Sequence, residues 1–222
     1  TIVARSGLAL RSLPQDVPAR EHLTFIEKAG LRGGELANQM LAFAGQTQLN
    51  FQAVQLSMLL KDMAPFVRAT ITKRLTFEYD LAPSLPPIRG DQDQLRQIIM
   101  NIVTNASEAI GEGDGTITVR TSEWNPTTQN LQGWYVIGDL PADQGVALTI
   151  HDAGCGMAPD MIPKIFDPFF STKFPGRGLG LATLLGIAQA HAATIAIRSQ
   201  PDVGTEFTLL FPATNPKIST KK

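Results

Sequence analysis

Two glycine-rich runs constrain this chain more than any other feature. Gly154-Cys155-Gly156 follows the strand-like stretch Val146–His151 and the carboxylate Asp152. Gly176-Arg177-Gly178-Leu179-Gly180 runs directly into a helical pattern over 178–191. Glycine lets backbone come close to another group where a Cβ forbids it. The first run therefore suits close approach to a flat ligand, with Asp152 placed to accept from an exocyclic amine such as that of adenine. The second suits an anion, because free N–H groups at a helix start attract phosphate and glycines let the backbone wrap it. Each run also has a plainer reading, as a tight turn capped by Asp152 and as a flexible loop capping a helix. Neither is a Walker loop, since no Gly-Lys-Ser/Thr follows. The surrounding strands do not alternate with helices as a dinucleotide fold requires.

A second constellation lies upstream. Asp91 opens a strong helical pattern, 91–110, as a cap residue. Leu95, Ile98, Ile99, Ile102, Ala106 and Ala109 form its apolar face, while Asn101, Asn105 and Glu108 stack in a row on another. Asparagine is a poor helix-interior residue. Two on one face are either solvated or serve as oxygen ligands to Mg²⁺ and amide donors to phosphates. Between the glycine runs sits Ile165-Phe166-Asp167-Pro168-Phe169-Phe170-Ser171-Thr172-Lys173. Its aromatics suit either core packing or the hydrophobic hinge of a mobile cover, and Lys173 is within reach of a phosphate.

The rest of the chain sets the frame. Of 222 residues, 43% are hydrophobic and 18% charged, which fits a packed globular chain. A net charge of −1 without a basic stripe argues against nucleic acid. The basic run from Lys217 to Lys222 reads as a solvated tail. The single cysteine, Cys155, excludes an internal disulfide and a multi-cysteine metal site, and points to a reducing, cytoplasmic compartment. No stretch approaches the roughly 18 apolar residues of a membrane span. The opening Thr1-Ile2-Val3-Ala4-Arg5 reads as the interior of a longer protein.

Residues 1–12 and a stretch from Pro18 to about 46 form a helical hairpin, with Leu23, Ile26, Gly30, Gly33, Ala37, Met40 and Ala44 in a heptad-like seam. That seam either lies on the chain's own domain or forms half of a dimeric four-helix bundle. Strand patterns are expected at 74–79, 116–121, 133–137, 146–151, 194–199 and 205–211, and a further helix at 58–70. Helices against a mostly antiparallel sheet make an α+β two-layer sandwich.

Taken in order, these motifs resemble the asparagine, first glycine, phenylalanine and second glycine boxes of the sensor histidine kinase catalytic domain. The resemblance covers residues 60–212, and its Phe-Phe-Ser-Thr-Lys wording looks like the nitrogen-sensor and hybrid-kinase branch. Residues 1–48 resemble the end of the dimerisation and histidine-phosphotransfer hairpin, and Gln39–Ala44 the end of its second helix. The resemblance implies the Bergerat (GHKL) fold over 55–213 and a linker tail at 214–222. It implies ATP and Mg²⁺ as ligands, a response-regulator receiver in cis or in trans as partner, and a homodimer through the hairpin. Asn105 is then the Mg²⁺ ligand, with Asn101 supporting metal or phosphate and Glu108 beside them. Asp152 reads adenine, with Gly154 and Gly156 allowing close approach. Lys173, Arg177, Gly178, Leu179 and Gly180 lie along the lid and phosphates, and Asn101, Asn105 and Lys173 carry the catalysis.

The gyrase, chaperone and mismatch-repair ATPases of the same fold place a water-activating Glu four residues before the metal-binding Asn. Here that position is Asn101, and Glu108 lies a turn beyond the place such a base needs. The departure favours phosphoryl transfer to a protein histidine over hydrolysis. A GHKL-type ATPase, a protein serine kinase and a non-catalytic nucleotide sensor are the alternatives. Of three histidines, His151 reads as a sheet residue, and His191 as a helix-end residue whose cation suits the dipole. His22 sits in the second helix without the acceptor pattern. The acceptor is therefore expected upstream of Thr1, and this fragment is expected to bind ATP without phosphorylating itself.

Overall fold

The computed structural model describes residues 1–14, 16–43, 49–71, 75–171 and 178–214, with residue 32 and residues 35–43 described by backbone alone. The chain divides into two compact units, Thr1–Gln46 and Thr47–Lys222.

The first unit is an antiparallel hairpin of α1 (Ile2–Ser12) and α2 (Ala19–Phe43). Pro18 precedes the first turn of α2, where a missing N–H costs nothing. Arg20 Nη1 donates to the carbonyls of Leu10 at 2.5 Å and Leu13 at 2.8 Å, so a cation from α2 satisfies the free carbonyl end of α1. A Cβ on Gly30 would stand 2.9 Å from Val3 Cγ2, which shows why a small residue lies at that crossing. Ile2, Leu8, Phe25 and Leu31 are exposed, Phe25 by 74%. Ala37, Met40 and Ala44 of the expected seam have no described side chains.

The second unit carries a six-stranded sheet in the order β2 (Leu75–Leu81), β4 (Gly115–Trp124), β6 (Gly145–Asp152), β8 (Gly204–Pro212), β7 (Thr194–Gln200), β5 (Tyr135–Ile137). Only the β2–β4 pair is parallel. A separate ribbon pairs β1 (Gln52–Val54) with β3 (Ile88–Gly90). Helices α3 (Leu56–Thr70), α4 (Gln92–Ile110) and α5 (Gly180–Ala190) cover one face of the large sheet. Alternation along the strands puts Ile117 and Val119 of β4, Leu148 and Ile150 of β6, and Phe207 and Leu209 of β8 into that core. Ile98 of α4 packs there fully buried. On the opposite face Trp124, Ala147 and Leu210 form a small cluster with Leu131. The architecture is the two-layer α+β sandwich.

Helix α4 shows how local sequence fixes its position. Asp91 is its N-cap and accepts from Asp93 N at 3.0 Å and Gln94 N at 3.1 Å, while its other oxygen accepts from Asn50 N at 2.8 Å. Gly111 closes the helix at φ 80. Short β1 and β3, and a 3₁₀ turn at Ile162–Phe166, add to the elements expected from sequence. The strand expected at 133–137 begins only at Tyr135, because Trp134 N–H is turned back to Leu131 O.

His191 requires a correction. It caps the end of α5 but is 5% exposed, and its Nε2 accepts from Asp91 N at 3.0 Å. With Nε2 an acceptor, Nδ1 carries the proton and donates to Ile187 O at 2.8 Å. Burial pushes its pKa below the usual histidine value, against the opposing pull of the Ile187 carbonyl and the Asp91 charge. The ring is neutral, and desolvation outweighs the helix dipole.

Candidate nucleotide site

Asp152 ends β6 on the core-facing side of the sheet, because it is two residues on from Ile150 and four on from Leu148. It is 4% exposed. A carboxylate this deep must be hydrogen-bonded, and its Oδ1 accepts from Gly154 N at 2.9 Å. The register sets Thr205 of β8 opposite it. Thr205 Oγ1 lies 2.9 Å from Ser199 Oγ, whose oxygen also accepts from Met157 N at 2.8 Å. The strand end, the following loop and β8 are thus tied by one set of hydrogen bonds.

The loop 153–156 is held from both sides. Cys155 N donates to Ala109 O at 3.1 Å, at the end of α4, and Cys155 O accepts from Asp202 N at 2.9 Å. Gly156 has φ +61, and a Cβ there would run into the carbonyl of Gln200. The close approach seen at the first glycine run is therefore to the protein's own backbone, which fixes the loop beneath Asp152.

Above this floor lies a cavity of about 280 Å³. Asn105 and Glu108 of α4, Asp152, Gly156, Gly178 and Gly180 line it together. Met157, Met161, Ile165, Phe170, Leu181 and Phe207 make most of its wall apolar, and Cys155, Ser171 and Thr205 add to the polar part. Apolar walls with a few converging polar groups are the usual form of a small-molecule site. Phe170 is the phenylalanine of the Phe-rich segment that lies in the wall. Phe166 is buried, while Phe169 is 61% exposed at φ 68. Phe169 N donates to Gly178 O at 2.9 Å, and a Cβ on Gly178 would collide with the carbonyl of Phe170. Phe169 and Phe170 therefore lie against Gly178 of the second glycine run.

The two asparagines of α4 differ. Asn101 Nδ2 donates to Gly180 O at 3.0 Å, and Asn101 is not among the cavity's lining. It fastens the first turn of α5 to α4. Asn105 lines the cavity, and its Nδ2 is buried with no hydrogen-bond partner. Gly154 and the buried Leu179 are also outside the lining. Lys173, Gly176 and Arg177 lie outside the described residues.

The residues present fit a purine nucleotide. A buried carboxylate at an apolar end suits an adenine amine, and an orphaned amide on α4 awaits a polar ligand. Among the described residues no cluster of three His, Cys, Asp or Glu could hold a metal alone. A Mg²⁺ here must share its coordination with phosphate oxygens, as this reluctantly dehydrated cation commonly does.

Comparison with known proteins agrees with this geometry. Residues 90–215 match the model of the histidine kinase-, DNA gyrase B-, and HSP90-like ATPases. The chain belongs to that family. Over 204 residues it is 32% identical to the signal transduction histidine-protein kinase AtoS of Escherichia coli, covering 91% of this chain and 31% of AtoS. The sensory histidine kinase/phosphatase NtrB of Rhizobium meliloti is 32% identical over 179 residues, 80% of this chain and 46% of NtrB. The chain thus spans less than half the length of these relatives, and corresponds to the ATP-binding catalytic portion of sensor histidine kinases. Full-length ShkA, solved in complex with AMPPNP, shares the fold at a TM-score of 0.70 and 24% identity, over 96% of this chain and 43% of ShkA. Among the described residues no helix is long and apolar enough to cross a membrane.

Proposed function

We propose that this chain is the catalytic portion of a two-component sensor histidine kinase, which moves the γ-phosphoryl group of ATP to a protein histidine for relay to a response-regulator aspartate. The observation that carries this reading is the single cavity that joins buried Asp152 to Asn105 and Glu108 of α4. Asp152 accepts the adenine amine while Gly154 N holds its carboxylate in place. The apolar wall excludes water from the base. Asn105 holds Mg²⁺, with Glu108 beside it, and the glycines at 178 and 180 open the start of α5 toward the phosphates. Bound Mg²⁺ supplies charge neutralisation on the phosphates, which is most of what phosphoryl transfer asks of an enzyme. Lys173 and Arg177 add positive charge along the phosphates. Asn101, spent on Gly180, positions α5 and leaves no carboxylate four residues before Asn105 to activate water. Exposed Leu8, Phe25 and Leu31 on the hairpin support a homodimer through that unit.

The test is calorimetric titration with Mg²⁺ and a non-hydrolysable ATP analogue, with Asp152→Asn and Asn105→Ala alongside. Losing a hydrogen bond to a charged group costs about 1.5–3 kcal/mol, so Asp152→Asn should weaken binding by roughly 10-fold to 150-fold. Both variants binding like the parent would sink the site assignment. Steady phosphate release by the chain, abolished by Glu108→Ala, would turn the reading to an ATPase.

A further inference from the structure

Away from the nucleotide cavity, one cluster joins four parts of the catalytic unit. Asn50 and Phe51 follow the boundary between the two units. Asn50 N donates to Asp91 Oδ2 at 2.8 Å. The Phe51 ring packs tilted on the His191 ring, centroids 5.1 Å apart. The Arg89 guanidinium sits over the Phe51 ring, 5.0 Å from its centroid. Asp91 N donates to His191 Nε2. A Cβ on Gly90 would stand 2.7 Å from Leu95 Cδ1 and 3.2 Å from His191 Cδ2, so β3 is packed tightly against both helices.

We propose that His191 is a proton-sensitive latch, a positioning residue that in its neutral form clamps the incoming segment Asn50–Phe51 to the start of α4 and the end of α5. The geometry dictates the direction. A proton added at Nε2 turns the acceptor of Asp91 N–H into a donor, and two donors then face each other. The cation also has to remain in a buried place where Phe51 covers it. Both are relieved if Phe51 lifts away and the ring reaches water. The charged group acting on the ring is Asp91 from the α4 cap, and Arg89 from β3 lies over Phe51. Neither β1 nor α5 carries an ionisable side chain. Burial opposes the cation most, while the Ile187 carbonyl and the Asp91 charge favour it.

The segment so held leads directly into β1. Releasing it loosens the attachment of the catalytic unit to the chain before it, while the core beneath α4 stays intact. The same helix carries Asn105 at its other end. Acidification thus acts on the segment that enters β1 and leaves Asp152 and its loop untouched.

Backbone amide exchange on the whole chain tests this, read at Asn50 and Asp91 and corrected for intrinsic exchange. With His191 titrating at the ordinary 6.5 in the open state and below it in the closed state, protection falls by up to about tenfold from pH about 7.5 to about 5.5. His191→Gln keeps an acceptor but cannot titrate, and should change less than about twofold over that range. Unchanged protection in the parent, or the same loss in the variant, would overturn the latch. If the variant does not fold, ring ¹⁵N shifts of the parent decide. Protonation of His191 that tracks the loss of Asp91 amide protection supports it, and protonation without that loss refutes it.

Discussion

Replacing Asp91 by alanine isolates what one carboxylate contributes to the placement of α4. The side chain makes three hydrogen bonds, two to the first turn of the helix and one to Asn50 N. Loss of an N-cap costs about 0.5–2 kcal/mol, typically about 1. The bond to Asn50 is exposed and contributes about 0.5–1 kcal/mol. Asp91→Ala should therefore destabilise the catalytic unit by about 2 kcal/mol at neutral pH. In urea, with a slope of about 2 kcal/mol per molar, the midpoint falls by about 1 M. Both tryptophans, Trp124 and Trp134, lie in the catalytic unit, so their fluorescence reports its unfolding apart from the hairpin. Asp91→Asn keeps the cap and should lose only a few tenths of a kcal/mol. Burial raises the pKa of Asp91, but the backbone N–H groups of Asn50, Gln94 and Asp93, together with the field of His191, outweigh it and hold the net value below 3.8. Such a group stabilises the fold above 3.8, and the contribution is lost as pH falls through the depressed value. The parent's advantage over Asp91→Asn should shrink there. A loss below about 0.5 kcal/mol for Asp91→Ala, or equal losses for Ala and Asn, would refute the capping account.

Two further perturbations follow from packing. Gly156→Ala puts a Cβ into the Gln200 carbonyl at φ +61, and should cost at least about 1–3 kcal/mol in a thermal or urea melt. It should also weaken nucleotide binding, since Gly156 lines the cavity. Ile98→Ala empties a fully buried site on α4 and should cost about 2–5 kcal/mol, with the midpoint moving at constant slope. A near-neutral result for either would show that the loop or the core relaxes around the change.

Long elements with strong periodicity were legible in the sequence. Helix α4 announced both its start and its apolar face, because Asp91 is a cap and Leu95, Ile98, Ile99 and Ile102 recur at helical spacing. Strands β1 and β3 were not legible. Each has three residues, too few for a period, and they pair across a long separation in the chain. Thr205, Met157 and Phe207 of the cavity were missed for a related reason. The pairing of Asp152 with Thr205 is a register between strands, and no local pattern states it. His191 was misjudged because helix-end position is a local signal, whereas its charge is decided by Asp91 and Phe51, which are distant in sequence.

The row of Asn101, Asn105 and Glu108 was legible as a row, but its division of labour was not. Spacing makes Asn101 and Asn105 equivalent, one turn apart on the same face. Tertiary packing separates them. Asn101 meets the carbonyl of Gly180 and is satisfied by the protein, so it holds the start of α5 beside the cavity. Asn105 finds no such carbonyl, and its buried amide nitrogen is left without a partner. A buried unpaired amide costs about 1–3 kcal/mol. An ordinary core position would exchange it for an apolar residue. At the wall of a cavity that holds a buried carboxylate, we propose that binding is the event that satisfies it. On the reading proposed above, the helix uses one asparagine to build the site and leaves the next one unsatisfied for the ligand.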